Sequence, residues 1–222
     1  MIEAKSATHR IRRAYNLWSL FYGRLVAPLE HKPRMLGLEQ VGIQPHDKVL
    51  EVAVGPGVTL LEIVKRVDKT TVVYGADLSP RMLEKARRRV SDAGYVNVDL
   101  READARQLPF PDDTFDVLYN SYMLDLIPLR DMPVVLGEFK RVLKPGGRLA
   151  LVNMTKKDAD SRTWWERLYL RLPARWAPYL LGGCRPVLVE GLVSEAGFCE
   201  VKREYIRHII PSEIVTATKP GV

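Results

Sequence analysis

Apolar and polar residues follow two alternating patterns from about residue 48 to the end of the chain. Short apolar runs, typical of strands buried on both faces, are separated by segments whose apolar residues recur at helical spacing. This alternation predicts an α/β fold with a mostly parallel sheet. Strands are predicted near 48–54, 71–77, 97–102, 115–120, 147–153, 198–207 and 212–218, and helices near 58–67, 80–93, 130–143 and 187–196.

The first 47 residues precede the predicted sheet and have a different pattern. Residues 6–26 carry aromatic and apolar side chains at helical spacing with basic flanks. This segment is interpreted as one or two helices packed on the domain, with a lid over a pocket or a membrane-surface contact as the functional alternatives. Three prolines, Pro28, Pro33 and Pro45, are expected to break up the region that follows, and a second helix is predicted near 34–41.

Residues 155–185 interrupt the alternation after the fifth strand. The stretch 163–172 has a helical pattern with bulky aromatic and basic side chains, and prolines and glycines follow it. An insertion at this end of a sheet forms either a substrate wall or a cover for an apolar sheet edge. We therefore predict a single domain over 1–222. Its parts are an N-terminal extension (1–47), a core (48–154), the insertion (155–185) and a C-terminal helix with the last two strands (186–222).

A glycine turn joins the first predicted strand to the first predicted helix of the core. Gly55 and Gly57 flank Pro56, which cannot occupy a central strand, and the glycines permit a tight turn. In an open α/β sheet this turn lies at the carboxyl end of a strand, where ligands bind. A side chain at either glycine would keep a ligand away from the backbone. Such a turn also serves as an ordinary strand–helix junction, so more signals are needed.

Acidic residues end the next two strands. Asp77 is placed to accept two hydrogen bonds from a ribose diol, or to cap the next helix, which Ser79 and Pro80 also favour. Asp104 follows the third strand and suits an exocyclic amine such as that of adenine, or is a surface acid. With the glycine turn, these positions indicate a nucleotide-type ligand.

The composition limits the class of protein and its cellular location but does not identify a binding partner. The net charge of +7, from 34 basic and 27 acidic residues, suits nucleic acid, an anionic membrane, an acidic substrate or a plain solvated surface. No apolar run reaches the length of a membrane span, and the first residues lack a signal-peptide core. Cys184 and Cys199 are far apart without metal-ligand spacing, so free thiols in a cytoplasmic protein and no metal site are expected.

Five segments in order and register carry a family resemblance. They are 51–57, 75–79, 103–105 with 108–110, 115–120 and 143–147. On these motifs the chain resembles class I S-adenosylmethionine (SAM)-dependent methyltransferases from about residue 48 to 154. It is most similar to the branch of ubiquinone/menaquinone C-methyltransferases and small phospholipid N-methyltransferases. Two positions depart from the family pattern, with Ala53 where glycine is usual and Glu51 where aspartate is common.

The resemblance implies a Rossmann-like, seven-stranded, mostly parallel sheet flanked by helices, with an N-terminal helical extension and a helical insertion after strand five. It also implies SAM as the cofactor. The glycine turn would hold the methionine portion, together with Glu51 and the carbonyl of Asn120, while Asp77 would bind the ribose. Leu78, Asp104 and Ala105 would surround the adenine. The full predicted set of cofactor residues is Tyr15, Tyr22, Glu51, Ala53, Gly55, Gly57, Asp77, Leu78, Met82, Asp104, Ala105 and Asn120.

The predicted activity is methyl transfer by in-line displacement, in which placement of the acceptor supplies much of the catalysis. The acceptor is a lipophilic phospholipid or quinone-like molecule, or else a soluble metabolite, and a non-catalytic SAM-binding protein is the remaining alternative. Tyr122, Asp125 and His208 are the candidate catalytic residues, although His208 also suits a partly exposed strand position. A general base is needed only if the acceptor loses a proton.

The predicted partners follow from the same resemblance. The sequence Asn120-Ser121-Tyr122-Met123 lacks the proline pair common in methyltransferases of nucleic-acid bases, so no nucleic acid is expected. Basic, aromatic segments at 6–26 and 161–176 suit peripheral contact with an anionic inner membrane surface. The oligomeric state is left open.

Overall fold

A computed structural model describes residues 1, 3, 27–160, 164–171 and 184–221, and the structural statements below concern these residues. Within them, seven strands form one sheet in the order β3-β2-β1-β4-β5-β7-β6, and only β7 runs antiparallel to its neighbours. The strands are β1 (Val49–Val52), β2 (Val73–Asp77), β3 (Val98–Glu102), β4 (Phe115–Ser121), β5 (Leu143–Met154), β6 (Cys199–Ile206) and β7 (Ser212–Thr218). The predicted seven-stranded, mostly parallel α/β fold is confirmed.

Helices cover both faces of the sheet. They are α1 (Ala27–Val41), α2 (Val58–Val64), α3 (Pro80–Asp92), α4 (Met132–Val142), α5 (Trp164–Arg171) and α6 (Glu190–Glu195), with 3₁₀ turns at Leu124–Leu126 and Leu129–Asp131. One buried cluster joins α4 and α6 to the sheet, and a second joins α1, α2 and α3 to the opposite face. Because helices cover both faces of the sheet, all four residues of β1 are buried, and three of them are apolar.

Helix α1 begins earlier than predicted and corrects the interpretation of Pro33. This proline was expected to break the chain, yet it lies inside α1. A proline there removes one hydrogen bond, to the carbonyl of residue 29, and packing compensates for that loss. Gly37 allows the close approach, because a Cβ atom there would lie 2.7 Å from Val152 Cγ2 on β5. The Tyr119 hydroxyl also donates to the Arg34 carbonyl at 3.0 Å.

The turn predicted at 144–147 is part of β5 in the structure. Phe115 of β4 pairs with Leu143 of β5, and Val117 pairs with Arg148, so the register shifts between these two pairs. Residues 144–147 therefore form an irregular section of β5. Gly146 takes a φ of +75° there, and its N–H donates to the Lys219 carbonyl at 2.9 Å. Pairing with the C-terminal residues therefore draws this segment into the sheet.

Other predicted elements fall partly outside the described residues. The one or two helices predicted over 6–26, with Tyr15 and Tyr22, lie outside them. Of the predicted helix over 163–172, the part described is α5. The predicted division of the chain into a core with an extension and an insertion stays a prediction.

Candidate functional site

A cavity of about 120 Å³ opens at the carboxyl ends of β1, β2, β3 and β4. Parallel strands bring the residues that follow each of them to the same edge of the sheet, which is the usual ligand edge of such folds. Tyr122 lines the cavity, as do seven of the predicted cofactor residues. These seven are Ala53, Gly55, Asp77, Leu78, Met82, Asp104 and Ala105.

The two glycines of the turn have different functions. Both adopt positive φ angles, +52° at Gly55 and +77° at Gly57. A Cβ atom at Gly55 would meet no atom within 4 Å, so this position is open toward the cavity. A Cβ atom at Gly57 would lie 2.7 Å from the Cα atom of Ala86 in α3. The expectation that a side chain at Gly57 would block a ligand is therefore corrected, because that glycine is required for the packing of α2 on α3.

Ala53, where the family usually has glycine, also adopts the left-handed conformation. Its φ is +60°, and its N–H donates to the Ala76 carbonyl at 2.7 Å. An alanine in this conformation costs about 1–2 kcal/mol relative to the right-handed one. The turn geometry thus gives a physical reason for glycine at this position.

The carboxylate of Asp77 is hydrogen-bonded to the backbone of the glycine turn and of the residue that caps the next helix. Its two carboxylate oxygens accept the N–H groups of Gly55 at 2.9 Å and Ser79 at 2.8 Å. Burial raises the pKa of Asp77 to about 6, although both N–H groups act in the opposite direction. A carboxylate has about four acceptor positions, so two remain for donors from a ligand. The residue that caps α3 is Ser79, whose hydroxyl accepts the Met82 N–H at 3.3 Å. Asp77 is therefore not the cap of this helix, and it lines the cavity.

Asp104 is held by a cation that the sequence patterns did not single out. The Arg106 guanidinium donates to both of its oxygens, at 2.6 and 3.0 Å, and the Arg106 backbone N–H adds a bond at 2.9 Å. The guanidinium hydrogen bonds hold the pKa of Asp104 below its usual value. Arg106 also contacts Asp131 at 3.2 Å. Asp104 therefore stays ionised, with one acceptor position left for an amine.

Arg34 is a second residue that the sequence patterns missed. It reaches the cavity from α1, where its Nη2 atom pairs with Glu30 at 2.6 Å. Its guanidinium carbon lies 5.3 Å from the centre of the Tyr122 ring. The only signal in the sequence is the four-residue spacing of Glu30 and Arg34, which is common on helix surfaces.

Two predicted cofactor residues lie beneath the cavity and do not line it. Glu51 is 1% exposed, its Oε2 atom has no hydrogen-bond partner, and burial raises its pKa well above the usual value. Asn120 is fully buried and donates to the Val52 carbonyl at 2.8 Å. The contacts predicted for Glu51 and Asn120 stay predictions.

Of the three candidate catalytic residues, Tyr122 alone lines the cavity. Its φ is +52°, an unusual value for a tyrosine and typical of functional sites, and its hydroxyl bonds to Ser212 Oγ at 2.8 Å. Burial raises the pKa of the Tyr122 hydroxyl, so it is un-ionised at neutral pH. Asp125 is buried behind the cavity, and His208 lies half-buried in the loop between β6 and β7.

Asp125 has one satisfied and one unsatisfied oxygen. Oδ2 accepts the Met154 N–H at 3.2 Å, whereas Oδ1 has no hydrogen-bond partner. Burial raises the pKa of Asp125 to about 7, with Glu30 contributing in the same direction. Its protonation therefore changes near neutral pH.

In the part of the chain that the structure describes, neither a metal site nor a membrane-spanning helix is present. No group of three or more histidine, cysteine, aspartate or glutamate side chains there is arranged to hold a metal ion. None of the described helices combines the length and apolarity needed to cross a membrane.

Comparison with known proteins identifies the class to which this fold and cavity belong. The family model described as a methyltransferase domain matches residues 49–147. The chain is 34% identical over 149 residues to the phosphatidylethanolamine N-methyltransferase of Cereibacter sphaeroides, covering 67% of this chain and 70% of that protein. The chain therefore belongs to the SAM-dependent methyltransferases.

Another relative covers a shorter part of the chain. The chain is 38% identical over 120 residues to the ubiquinone/menaquinone biosynthesis C-methyltransferase of Teredinibacter turnerae, covering 54% of this chain. It spans 47% of the length of that relative.

Solved structures agree on the fold. A SAM-dependent methyltransferase from Aquifex aeolicus superposes with a TM-score of 0.64 at 23% identity, over 87% of this chain and 93% of that one. Phosphoethanolamine N-methyltransferase 2 of Haemonchus contortus gives a TM-score of 0.73 at 15% identity, over 97% and 61% of the two chains. Identities this low show a shared fold alone.

The residues around the cavity fit SAM, the cofactor of this family. Asp77 has two acceptor positions for a ribose diol, and Asp104 has one for the adenine amine. Leu78 and Met82 supply apolar lining for a base, and the guanidinium of Arg34 suits a carboxylate.

Proposed function

We propose that this protein transfers a methyl group from SAM to a small lipophilic acceptor with phospholipid or quinone-like chemistry. The observation that carries the proposal is the composition of one cavity wall, residues 123–128, which we call the wall segment. Met123, Leu126, Ile127 and Pro128 of this segment line the cavity with apolar surface. Of the four charged side chains that line the described cavity, three are in ion pairs and Asp77 receives two backbone N–H groups.

The wall segment and Tyr122 would act mainly by positioning. SAM, when bound, supplies a methyl group on a positively charged sulfur, and an acceptor must meet that group in line. An apolar wall excludes water and holds an apolar acceptor in one orientation, which lowers the entropic part of the barrier. The un-ionised Tyr122 hydroxyl would serve as a hydrogen-bonding group for a polar atom of the acceptor.

Two further observations support a lipid-like acceptor. The names of the two relatives above specify a phospholipid substrate and a quinone pathway. On this chain, Leu170 and Ile209 are 55% and 64% exposed. Exposed Arg167, Arg171 and Arg207 lie near them in the sequence, on elements that follow β5 or precede β7. Because Met154 pairs with Ser212, the segment of Arg207 and Ile209 lies at the carboxyl end of β5, the sheet edge that also carries the cavity. Exposed apolar and basic side chains together suit an anionic membrane surface.

The proposal is tested with radiolabelled SAM. After calorimetric titration with SAM and its demethylated product, the protein is offered a membrane lipid extract and, separately, a pool of soluble metabolites. We expect label in the lipid fraction and co-sedimentation with anionic vesicles at low salt. Label confined to soluble products would contradict the lipid acceptor. Tight binding without any transfer would indicate a non-catalytic SAM-binding protein.

Asp125 does not line the cavity, so it is proposed to accept a proton through one bridging water when the acceptor loses one during methylation. Its ionised form is the base, and its pKa is about 7, so the transfer rate at saturating substrate should rise as pH increases through 7. The variant Asp125→Asn should lose that rise and retain SAM binding. A rate profile in the variant that still rises through pH 7 would show that another group accepts the proton, and His208 would then be tested in the same way.

A further inference from the structure

Arg185 is a charged side chain with no exposed surface at the end of the insertion. It is 0% exposed and is the largest fully buried side chain among the described residues. Burial lowers the pKa of its guanidinium, because the charged form loses hydration. Burying a guanidinium costs free energy unless its N–H groups are hydrogen-bonded, so the acceptors of Arg185 indicate its structural role.

The contacts of Arg185 converge on the wall segment. Its Nη1 atom donates to the Asp125 carbonyl at 2.7 Å, and its Nη2 atom donates to the Ile127 carbonyl at 2.6 Å. These two carbonyls flank Leu126, and both Leu126 and Ile127 line the cavity. The guanidinium thus fixes the backbone of the wall segment from behind, on the side away from the cavity.

The chain around Arg185 is itself attached to the sheet. The Val187 N–H donates to the Met154 carbonyl at 3.0 Å, and the Thr155 hydroxyl donates to the Val187 carbonyl at 2.5 Å. The beginning and the end of the insertion therefore meet at the carboxyl end of β5. Arg185 is therefore held at this end of β5, and its two hydrogen bonds join the wall segment to it.

We propose that Arg185 is a positioning residue that couples the carboxyl end of β5 to the wall segment and sets the position of Leu126 and Ile127 in the cavity. This proposal rests on the proposed function, since the wall segment is there the surface that orients the acceptor. Arg185 itself lies outside the cavity lining. It acts through the backbone of the wall segment, which a single guanidinium can hold at two points because its N–H groups form a rigid planar fork.

The test compares variants at Arg185 with matched variants at Arg148. Arg148 also donates to two backbone carbonyls, those of Val41 and Gly42, but it lies at the opposite end of the sheet. In Arg185→Met we expect kcat at saturating SAM and acceptor to fall at least tenfold. Arg185→Lys should recover part of it, because an ammonium group can reach one carbonyl. Arg148→Met should lower the melting temperature with kcat unchanged.

Unchanged kcat in a folded Arg185→Met protein, or equal losses in the two methionine variants, would overturn the proposal. If Arg185→Met does not fold, Arg185→Lys decides, since a kcat equal to wild type would also overturn it. If the wild type binds SAM but methylates no acceptor, the proposed function fails and the SAM dissociation constant becomes the measurement. A value at least fivefold weaker in Arg185→Met than in Arg148→Met would still support the coupling, and equal values would refute it.

Discussion

Asp77→Ala should weaken SAM binding at least a hundredfold while the protein stays folded. The substitution would remove the acceptor that we propose for two ribose hydroxyls, and it would leave the N–H groups of Gly55 and Ser79 without their carboxylate partner. Hydrogen bonds to a charged group contribute about 1.5–3 kcal/mol each. Two such bonds amount to at least about 3 kcal/mol, which is more than a hundredfold in affinity. Isothermal titration calorimetry with SAM measures the change.

The same carboxylate should make SAM binding depend on pH. The pKa of Asp77 in the unliganded protein is about 6, and the hydrogen bonds proposed from ribose hydroxyls need the ionised form. Affinity should therefore be constant above about pH 7 and fall about tenfold per pH unit well below 6. Asp77→Asn should remove this slope. The unliganded fold has the opposite dependence, because a raised carboxyl pKa gives stability that is full below about pH 4 and is lost as the pH rises through 6.

Asp116→Ala is the matched control for Asp77→Ala. Asp116 also accepts a backbone N–H, that of Lys48 at 2.9 Å, and it is partly buried at the amino end of β4. Its removal should leave the SAM dissociation constant unchanged. A folded Asp77→Ala protein with wild-type affinity would refute the assignment of the ribose to Asp77.

Gly57→Ala should lower the free energy of unfolding by about 3 kcal/mol. The φ of +77° costs an alanine about 1–2 kcal/mol. The new Cβ atom would also lie 2.7 Å from the Ala86 Cα atom. Because this is a backbone atom, no side-chain rotation can relieve the overlap. Overpacking of this kind costs about 1–3 kcal/mol more. Urea unfolding followed by circular dichroism measures the loss.

Two other glycines separate the contributions to this loss. Gly94 has a φ of +83°, and a methyl group added there would meet no atom within 4 Å, so Gly94→Ala should show the conformational cost alone, about 1–2 kcal/mol. Gly55→Ala should cost about as much in stability and also weaken SAM binding, because its methyl group points into open space at the cavity. Equal stability losses at Gly57 and Gly94 would show that α3 yields to the added methyl group.

The strands, most helices and the location of the glycine turn and Asp77 at the cavity could be predicted from the sequence. A strand buried on both faces needs a continuous apolar run, and a helix on a sheet needs apolar residues at its own period. The location of Gly55 and Asp77 could be predicted for a similar reason, because turns and strand ends depend on residues that are close in the sequence. In a parallel sheet, the strand ends then meet at one edge whatever else the chain does.

Only the tertiary structure decided which side chains face the cavity and which support it from behind. Arg34 is marked in the sequence only by its four-residue spacing from Glu30, which is common on helix surfaces. Arg106 pairs with Asp104 within a short loop, and Arg185 bonds to a segment distant in the sequence, so neither carries a periodic signal. Pro33 does not break the chain as predicted, because packing of α1 outweighs one lost hydrogen bond. Gly57 and Asp125 are predicted to face the ligand, although Gly57 packs on α3 and the side chain of Asp125 is buried outside the cavity lining. Direction and burial depend on contacts between distant parts of the chain, and a local pattern of residues does not contain them.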